Sequence, residues 1–158
     1  CTKKVGEVDN PKVGEGDKPK ALSDEARQAF LAEVATKGPH GAFLHLRDAS
    51  PAVKADKQCV LAVVKKYGRA LEYAADILQS DKEIVLAAVT QNGNALQYAS
   101  DDLKGDQNVV FAAFKQKGYS VEGHMSVREM ILAAVRADGN NLQFASNELR
   151  EDREVVLA

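Results

Sequence analysis

Tryptophan is absent from this chain of 158 residues, and Tyr and Phe together number nine (4 and 5), so a ligand cage walled by aromatic rings is not expected. Charge of one sign is not in excess either: 21 basic residues face 23 acidic ones, and no large block of either sign occurs. That removes the basic footprint by which nucleic-acid binders hold phosphates. No apolar run approaches the roughly 18–20 residues that cross a bilayer. Two cysteines, Cys1 and Cys59, are too few for a disulfide framework, and Cys59 within CVLAVV fits a small buried thiol. The common catalytic signatures are missing as well: G-x-S-x-G, a Walker glycine loop, G-x-G-x-x-G and H-E-x-x-H do not occur. His40, His45 and His124 lack a second cysteine or histidine at zinc spacing, and surface or capping roles account for them. Asp101-Asp102 with Asp106, and Asp138-Gly139-Asn140, depart from the calcium-loop pattern and are better explained as helix ends. The sequence therefore assigns no catalytic residue, no cofactor and no metal site, and predicts a protein that is not an enzyme.

What the chain does have is repetition. DKEIVLAAVTQNGNALQYASDDLKG, from Asp81, is preceded in the same register by DKQCVLAVVKKYGRALEYAADILQS from Asp56. DQNVVFAAFKQKGYSVEGHMS from Asp106 and VREMILAAVRADGNNLQFASNELRE from Val127 follow, and DREVVLA opens a further copy at Asp152. A period of about 25 residues marks a repeat architecture. The predicted fold is all-α: tandem short αα-hairpins stacked as a small solenoid-like array. Its units span about 22–55, 56–80, 81–105, 106–126 and 127–151, with a partial unit at 152–158, behind a flexible tail at 1–21.

Asp56, Asp81 and Asp106 are predicted N-caps of the first helices, and Ser23 or Asp24 caps the helix of LSDEARQAFLAEVAT. The apolar runs that follow leave no polar face and predict burial on all sides. Gly68, Gly93, Gly118 and Gly139 recur where a helix C-terminus calls for a left-handed residue. Leu71, Ala74, Ala75 and Leu78 fall at i, i+3, i+4 and i+7, which predicts an amphipathic second helix, and Tyr73, Tyr98 and Phe144 share a position from which rings stack between units. LRDASPAVKAD at Leu46 matches LQYASDDLKGD at Leu96 with an offset of 50, whereas the first helix aligns with an offset of 55. Five extra residues are thus expected in a loop around Gly38-Pro39-His40-Gly41. The unit at Asp106 departs from the others: it places Gly123 and His124 where an aromatic and Ala belong, and four residues are missing before the next helix. That unit either is a tolerated irregularity or exposes a notch.

The tail CTKKVGEVDNPKVGEGDKPK alternates charges among Gly and Pro and is too poor in apolar residues to fold alone. Its first residue, Cys1, is similar to the lipidated cysteine of mature bacterial lipoproteins; an engineered residue or an arbitrary boundary are the rival accounts. The resemblance implies an anchor at Cys1 and, with Thr2 rather than Asp behind it, the outer membrane of a Gram-negative cell.

From Lys57 to Leu157 the chain resembles the bacterial and protist repeat family known as domain of unknown function 4116. The resemblance rests on EIVLAAV at 83–89 with GNALQYAS at 93–100, on EMILAAV at 129–135 with GNNLQFAS at 139–146, and on EVVLA at 154–158. It implies helical repeats and carries over no activity or catalytic residue. The expected function is a protein-interaction or structural module of the cell envelope, held by Cys1 and part of a larger surface assembly, with self-association as the other source of a partner. Tyr119, His124, His40, Val155, Val156 and Leu157 are the candidate partner contacts. The alternative is a lipoprotein that binds a small ligand or metal near His124.

Overall fold

A computed structural model describes residues 22–118 and 126–157, and every regular element among them is helical. In chain order the α-helices are α1 (Asp24–Thr36), α2 (Pro39–Arg47), α3 (Pro51–Lys54), α4 (Lys57–Val64), α5 (Asp76–Gln79), α6 (Lys82–Gln91), α7 (Asp101–Lys104), α8 (Gln107–Gln116), α9 (Val127–Ala137), α10 (Asn147–Glu151) and α11 (Arg153–Val156). The 3-10 turns Gly68–Tyr73, Gly93–Tyr98 and Gly139–Phe144 separate α4 from α5, α6 from α7 and α9 from α10. Cys1 and the tail lie outside the described residues, as do Tyr119 and His124.

The long helices start where the aspartates predict. The carboxylates of Asp56, Asp81 and Asp106 accept from first-turn N–H groups of α4, α6 and α8, including those of Cys59, Ile84 and Val109. Those donors have no partner within the helix, so the caps complete it. Ser23 caps α1 through Ala26, and Ser126 with Glu129 forms a capping box on α9.

Each long helix then packs on the next, α4 on α6, α6 on α8 and α8 on α9. The core is one continuous cluster from Phe30 to Val155. On α6 it takes Ile84, Val85, Ala88 and Val89 fully, while Leu86 and Ala87 stay half-buried. The apolar runs are thus buried on two sides and leave one stripe in view of solvent. Cys59 lies fully inside this core, and burial pushes its thiol up to about 12.

The amphipathic second helix is not a single helix. Leu71, Ala74 and Leu78 are buried as their spacing requires, but Ala74 and Ala75 are extended (ψ 149° at each) between the 3-10 turn and α5. The cause is a hydrogen bond between units. Ala75 N–H donates to Lys54 O at 2.9 Å and Ser100 N–H to Gln79 O at 3.0 Å, whereas a continuous helix would keep these donors in its own ladder. Gln79 Nε2 meanwhile donates to Leu71 O and Ala74 O, so these two carbonyls at the break are satisfied.

Two of the repeating glycines serve close approach rather than a left-handed turn. Among the described glycines, Gly118 alone has positive φ (81°), and it ends α8. Gly68 sits on the last turn of α6 and Gly93 on that of α8, where a Cβ would collide with the carbonyl oxygens of Ala88 and Ala113. Their N–H groups donate to Gln91 Oε1 at 2.6 Å and Gln116 Oε1 at 2.7 Å. The seat belongs to the joint, not to the turn.

Ion pairs mark the same joints. Lys57 meets Asp81 at 2.8 Å, Lys82 meets Asp106 at 2.6 Å and Arg128 meets Asp152 at 2.9 Å, each pair 24 residues apart. Arg27 meets Asp56 at 2.8 Å across 29 residues, and the difference of five is the insertion in the first unit. Those extra residues are not a loop: they lengthen the 3-10 turn of the other units into α2, which starts on Pro39 at its N-terminus.

Candidate functional site

The insertion that creates α2 also creates the most distinctive surface of the molecule. Ala42 and Leu46 bury one side of this helix, which turns His40, Phe43 and Arg47, spaced i, i+3 and i+7, to the other. Phe43 meets Tyr67 edge-on, with ring centroids 4.9 Å apart, and Tyr73 at 5.2 Å. His40 is exposed and lies over Phe43 at 6.0 Å. Tyr67 precedes the 3-10 turn of the second unit and Tyr73 ends it, and from this turn Arg69 Nη2 donates to Tyr98 OH at 3.1 Å in the third. Arg47 closes the edge by donating from Nε and Nη2 to the two carboxylate oxygens of Asp48, at 2.8 and 3.1 Å. That pair holds the Asp48 carboxyl below its usual range, and the hydrogen bond to Tyr98 raises Arg69. Phe43, Tyr67, Tyr73 and Tyr98 are all half-buried, so the patch keeps ring edges and hydroxyls in reach of solvent. Edge-to-face pairs are worth about 0.5–1.5 kcal/mol each, which fixes the rings before any partner arrives.

Of the candidate contacts, His40 joins this patch. Val156 and Leu157 are 52% and 73% exposed at the far end of the stack, but Val155 is fully buried, because α11 lies on α9 and turns this side chain into the chain's own core. Tyr73 and Tyr98 do not pair with each other: Tyr73 meets Phe43, Tyr98 meets Arg69, and Phe144 is buried edge-on against Phe114 at 6.3 Å.

His45 occupies the other side of α2. Its ring stacks on Phe30 at 4.5 Å, and Nε2 lies buried 3.3 Å from Glu33 Oε2, out of hydrogen-bond alignment. A cavity of about 350 Å³ opens there, with Ala26, Ala29, Glu33, Asp48 and Val53 in its wall. The Lys37 ammonium, 2.6 Å away, holds Glu33 below its usual range. Among the described residues no three His, Cys, Asp or Glu side chains group as a metal site.

Sequence reasoning missed Phe43, Arg47, Tyr67 and Arg69. A signal for two of them was present. In later copies Asn92 and Asp138 cap the 3-10 turn by accepting from Asn94 and Asn140 N–H. Tyr67-Gly68-Arg69 replaces that N-G-N or D-G-N, and Tyr67 makes no such cap. A repeat that gives up its own cap is spending that position on something else.

No curated protein and no solved structure shows a significant match to the chain. The profile of one family matches residues 56–104, 81–122 and 128–158, covering the second to fifth units and the start of a sixth. The chain belongs to the family described as Domain of unknown function (DUF4116).

Proposed function

We propose that this chain is a non-enzymatic protein-binding module whose recognition surface is the patch formed by His40, Phe43, Arg47, Tyr67, Arg69, Tyr73 and Tyr98. The observation that carries the reading is the concentration of three of the four tyrosines, half-buried and fixed by Phe43 and Arg69, on a chain otherwise poor in aromatics. Tyr and Arg are enriched at the energetic centres of protein interfaces, because they bring large contact area and hydrogen-bonding ends at low entropy cost. The insertion supports it too, since α2, which sets the first unit apart, brings His40 and Phe43 to the tyrosines of the second.

A photocrosslinking residue at Tyr67 tests this in the native cell. The expected result is one discrete protein adduct that Tyr73→Ala with Arg69→Ala abolishes without unfolding the chain. An adduct unchanged by those substitutions would sink the reading. A covalent dimer of the chain itself would identify the partner as a second copy.

The envelope location belongs to the same proposal, and the composition of residues 1–21, charges alternating among Gly and Pro, supports it as a tether. Its test is intact mass after detergent extraction: excess mass on the Cys1 peptide supports the lipid anchor, and an unmodified peptide removes it.

A further inference from the structure

The long helices share an outward ridge. Leu61, Leu86, Phe111 and Leu132 hold one repeat position on α4, α6, α8 and α9, and each is half-buried. On a helix the residues four before and four after lie along the same ridge. Those before are Lys57, Lys82, Gln107 and Arg128, and the three cations among them bind the aspartate of the next unit. Those after are Lys65, Thr90, Lys115 and Arg136. Lys65, Lys115 and Arg136 are exposed and make no ion pair among the described residues. The face therefore carries an apolar line with a satisfied row of charge on one side and an unsatisfied row on the other.

A groove of about 500 Å³ opens along this face between α6 and α8, lined by Thr90, Phe111, Ala112, Lys115 and Gln116. The helix macrodipole favours a cation near a C-terminus, which accounts for one such charge at a time. It does not account for the Leu or Phe left half-buried one turn before each of them. A merely solvated face would be polar at that position.

We propose that this face docks an acidic, extended segment of a partner protein, its apolar side chains meeting the Leu61–Leu132 line and its carboxylates meeting Lys65, Lys115 and Arg136. The inference rests on the protein-binding reading and adds a second face to it. Spacing favours the extended form. Packed helices lie about 8–10 Å apart, and a polyproline-II chain returns every third residue to the same side after about 9.3 Å. One apolar residue in three, with acids between, then matches one ridge per step.

The probe is a fluorescent peptide of four Glu-Asp-Leu repeats, titrated against the full chain, beside a counterpart with lysine in place of both acids. The expected result is saturable binding of the acidic peptide, roughly tenfold tighter than the basic one and weakened by salt. Lys65→Glu with Lys115→Glu and Arg136→Glu reverses that preference. Phe111→Ser weakens the acidic peptide by about tenfold while circular dichroism shows the fold retained. Equal affinity for the two peptides, or saturation by neither, overturns the proposal. So does binding to phosphatidylglycerol vesicles that the triple variant loses while the acidic peptide stays unbound, since the face then serves a membrane. Photocrosslinkers at Phe111 and at Tyr67 separate the two surfaces in the cell. Adducts through residue 67 alone overturn this face and leave the patch intact; adducts through neither overturn both.

Discussion

The joints on the two sides of α8 are built from different materials. On the upstream side the backbone does the recognition. Gly93 rests on the Ala113 carbonyl, its N–H donates to Gln116 Oε1, and Lys82 reaches the Asp106 cap. On the downstream side the contacts are made by side chains. Phe114 meets Phe144 edge-on, Lys117 Nζ lies 4.3 Å over the Phe144 ring, and the same ammonium is 3.0 Å from Asn141 Oδ1. Burial lowers the pKa of Lys117, with Asp138 opposing the shift, and the ring face and the amide oxygen both face its ammonium. The unit that α8 opens is four residues short of its neighbours. Consistent with that, the fifth unit also touches the third directly, through a hydrogen bond from Asn147 to Asp101 and through packing of the 3-10 turn Gly139–Phe144 on Gly93–Tyr98. A shortened unit is bridged by larger side chains.

The largest effect that tests this contrast is at one repeat position. Phe144 is fully buried, while Tyr98, its equivalent upstream, is half-exposed. Phe144→Ala is expected to cost about 3–5 kcal/mol through the cavity it leaves, and Tyr98→Ala about 1 kcal/mol. Denaturant titration measures both, and equal losses would erase the distinction between the joints. Next comes the glycine seat. Gly93→Ala forces the turn away from the Ala113 carbonyl and is expected to cost about 2–3 kcal/mol. Gly139 holds the same position with no atom of the described residues within 4 Å of where its Cβ would lie, and no positive φ. Gly139→Ala is therefore expected to be neutral or to stabilise by about 0.5 kcal/mol.

Acid distinguishes the joints by charge. Asp81 and Asp106 are held below the usual carboxylate range, first by the hydrogen bonds from Lys57 and Lys82 and then by first-turn N–H groups. A carboxyl depressed in the folded state contributes stability above its unfolded pKa of about 3.9, and that contribution disappears as pH falls through the lower folded value. Amide protection in α6, corrected for the intrinsic exchange rate, should therefore fall below about pH 4, while α9 responds only through carboxylates of its own, the Glu129 cap and the Asp152 pair. Asp81→Asn with Asp106→Asn flattens that dependence. Flattening of equal size in α9, whose own Arg128–Asp152 pair is intact in that variant, would mean that the pairs do not act locally.

The long helices were legible because their signals are local: an aspartate cap, an apolar run and a period that returns five times in one chain. The second half of each unit was legible in burial but not in backbone. The choice between a helix and a broken turn is made by Ala75 and Ser100 donating to the preceding unit, and no window within one unit contains that acceptor. The glycine seats failed for the same reason, since the Ala88 and Ala113 carbonyls belong to the following unit. At the candidate site, His40 was found as a residue and Phe43 was not. Phe43 joins Tyr67 and Tyr73 only after the five inserted residues have folded as helix α2.

The smallest expected effect is a rate, and it asks whether the two kinds of joint open separately. Cys59 lies in α4, upstream of both, and its thiol is pushed up to about 12 by burial, with Asp56 adding to the shift. At pH 8 an unfolded cysteine, with pKa about 8.5, is roughly one quarter thiolate, while the native thiol is ionised in about one molecule in ten thousand. Alkylation of Cys59 therefore reports opening of its own part of the stack. Where each unit packs chiefly on its neighbours, a defect spreads weakly with distance. Gly68→Ala, which disturbs the seat of the second unit on α6, should raise the alkylation rate severalfold. Phe144→Ala, although more costly overall, lies three units away and should leave that rate nearly unchanged in the absence of denaturant. Mass spectrometry of iodoacetamide-treated protein over time gives both rates. If Phe144→Ala accelerates alkylation as much as Gly68→Ala does, the stack opens as one cooperative body, and the difference between its joints is one of construction rather than of local stability.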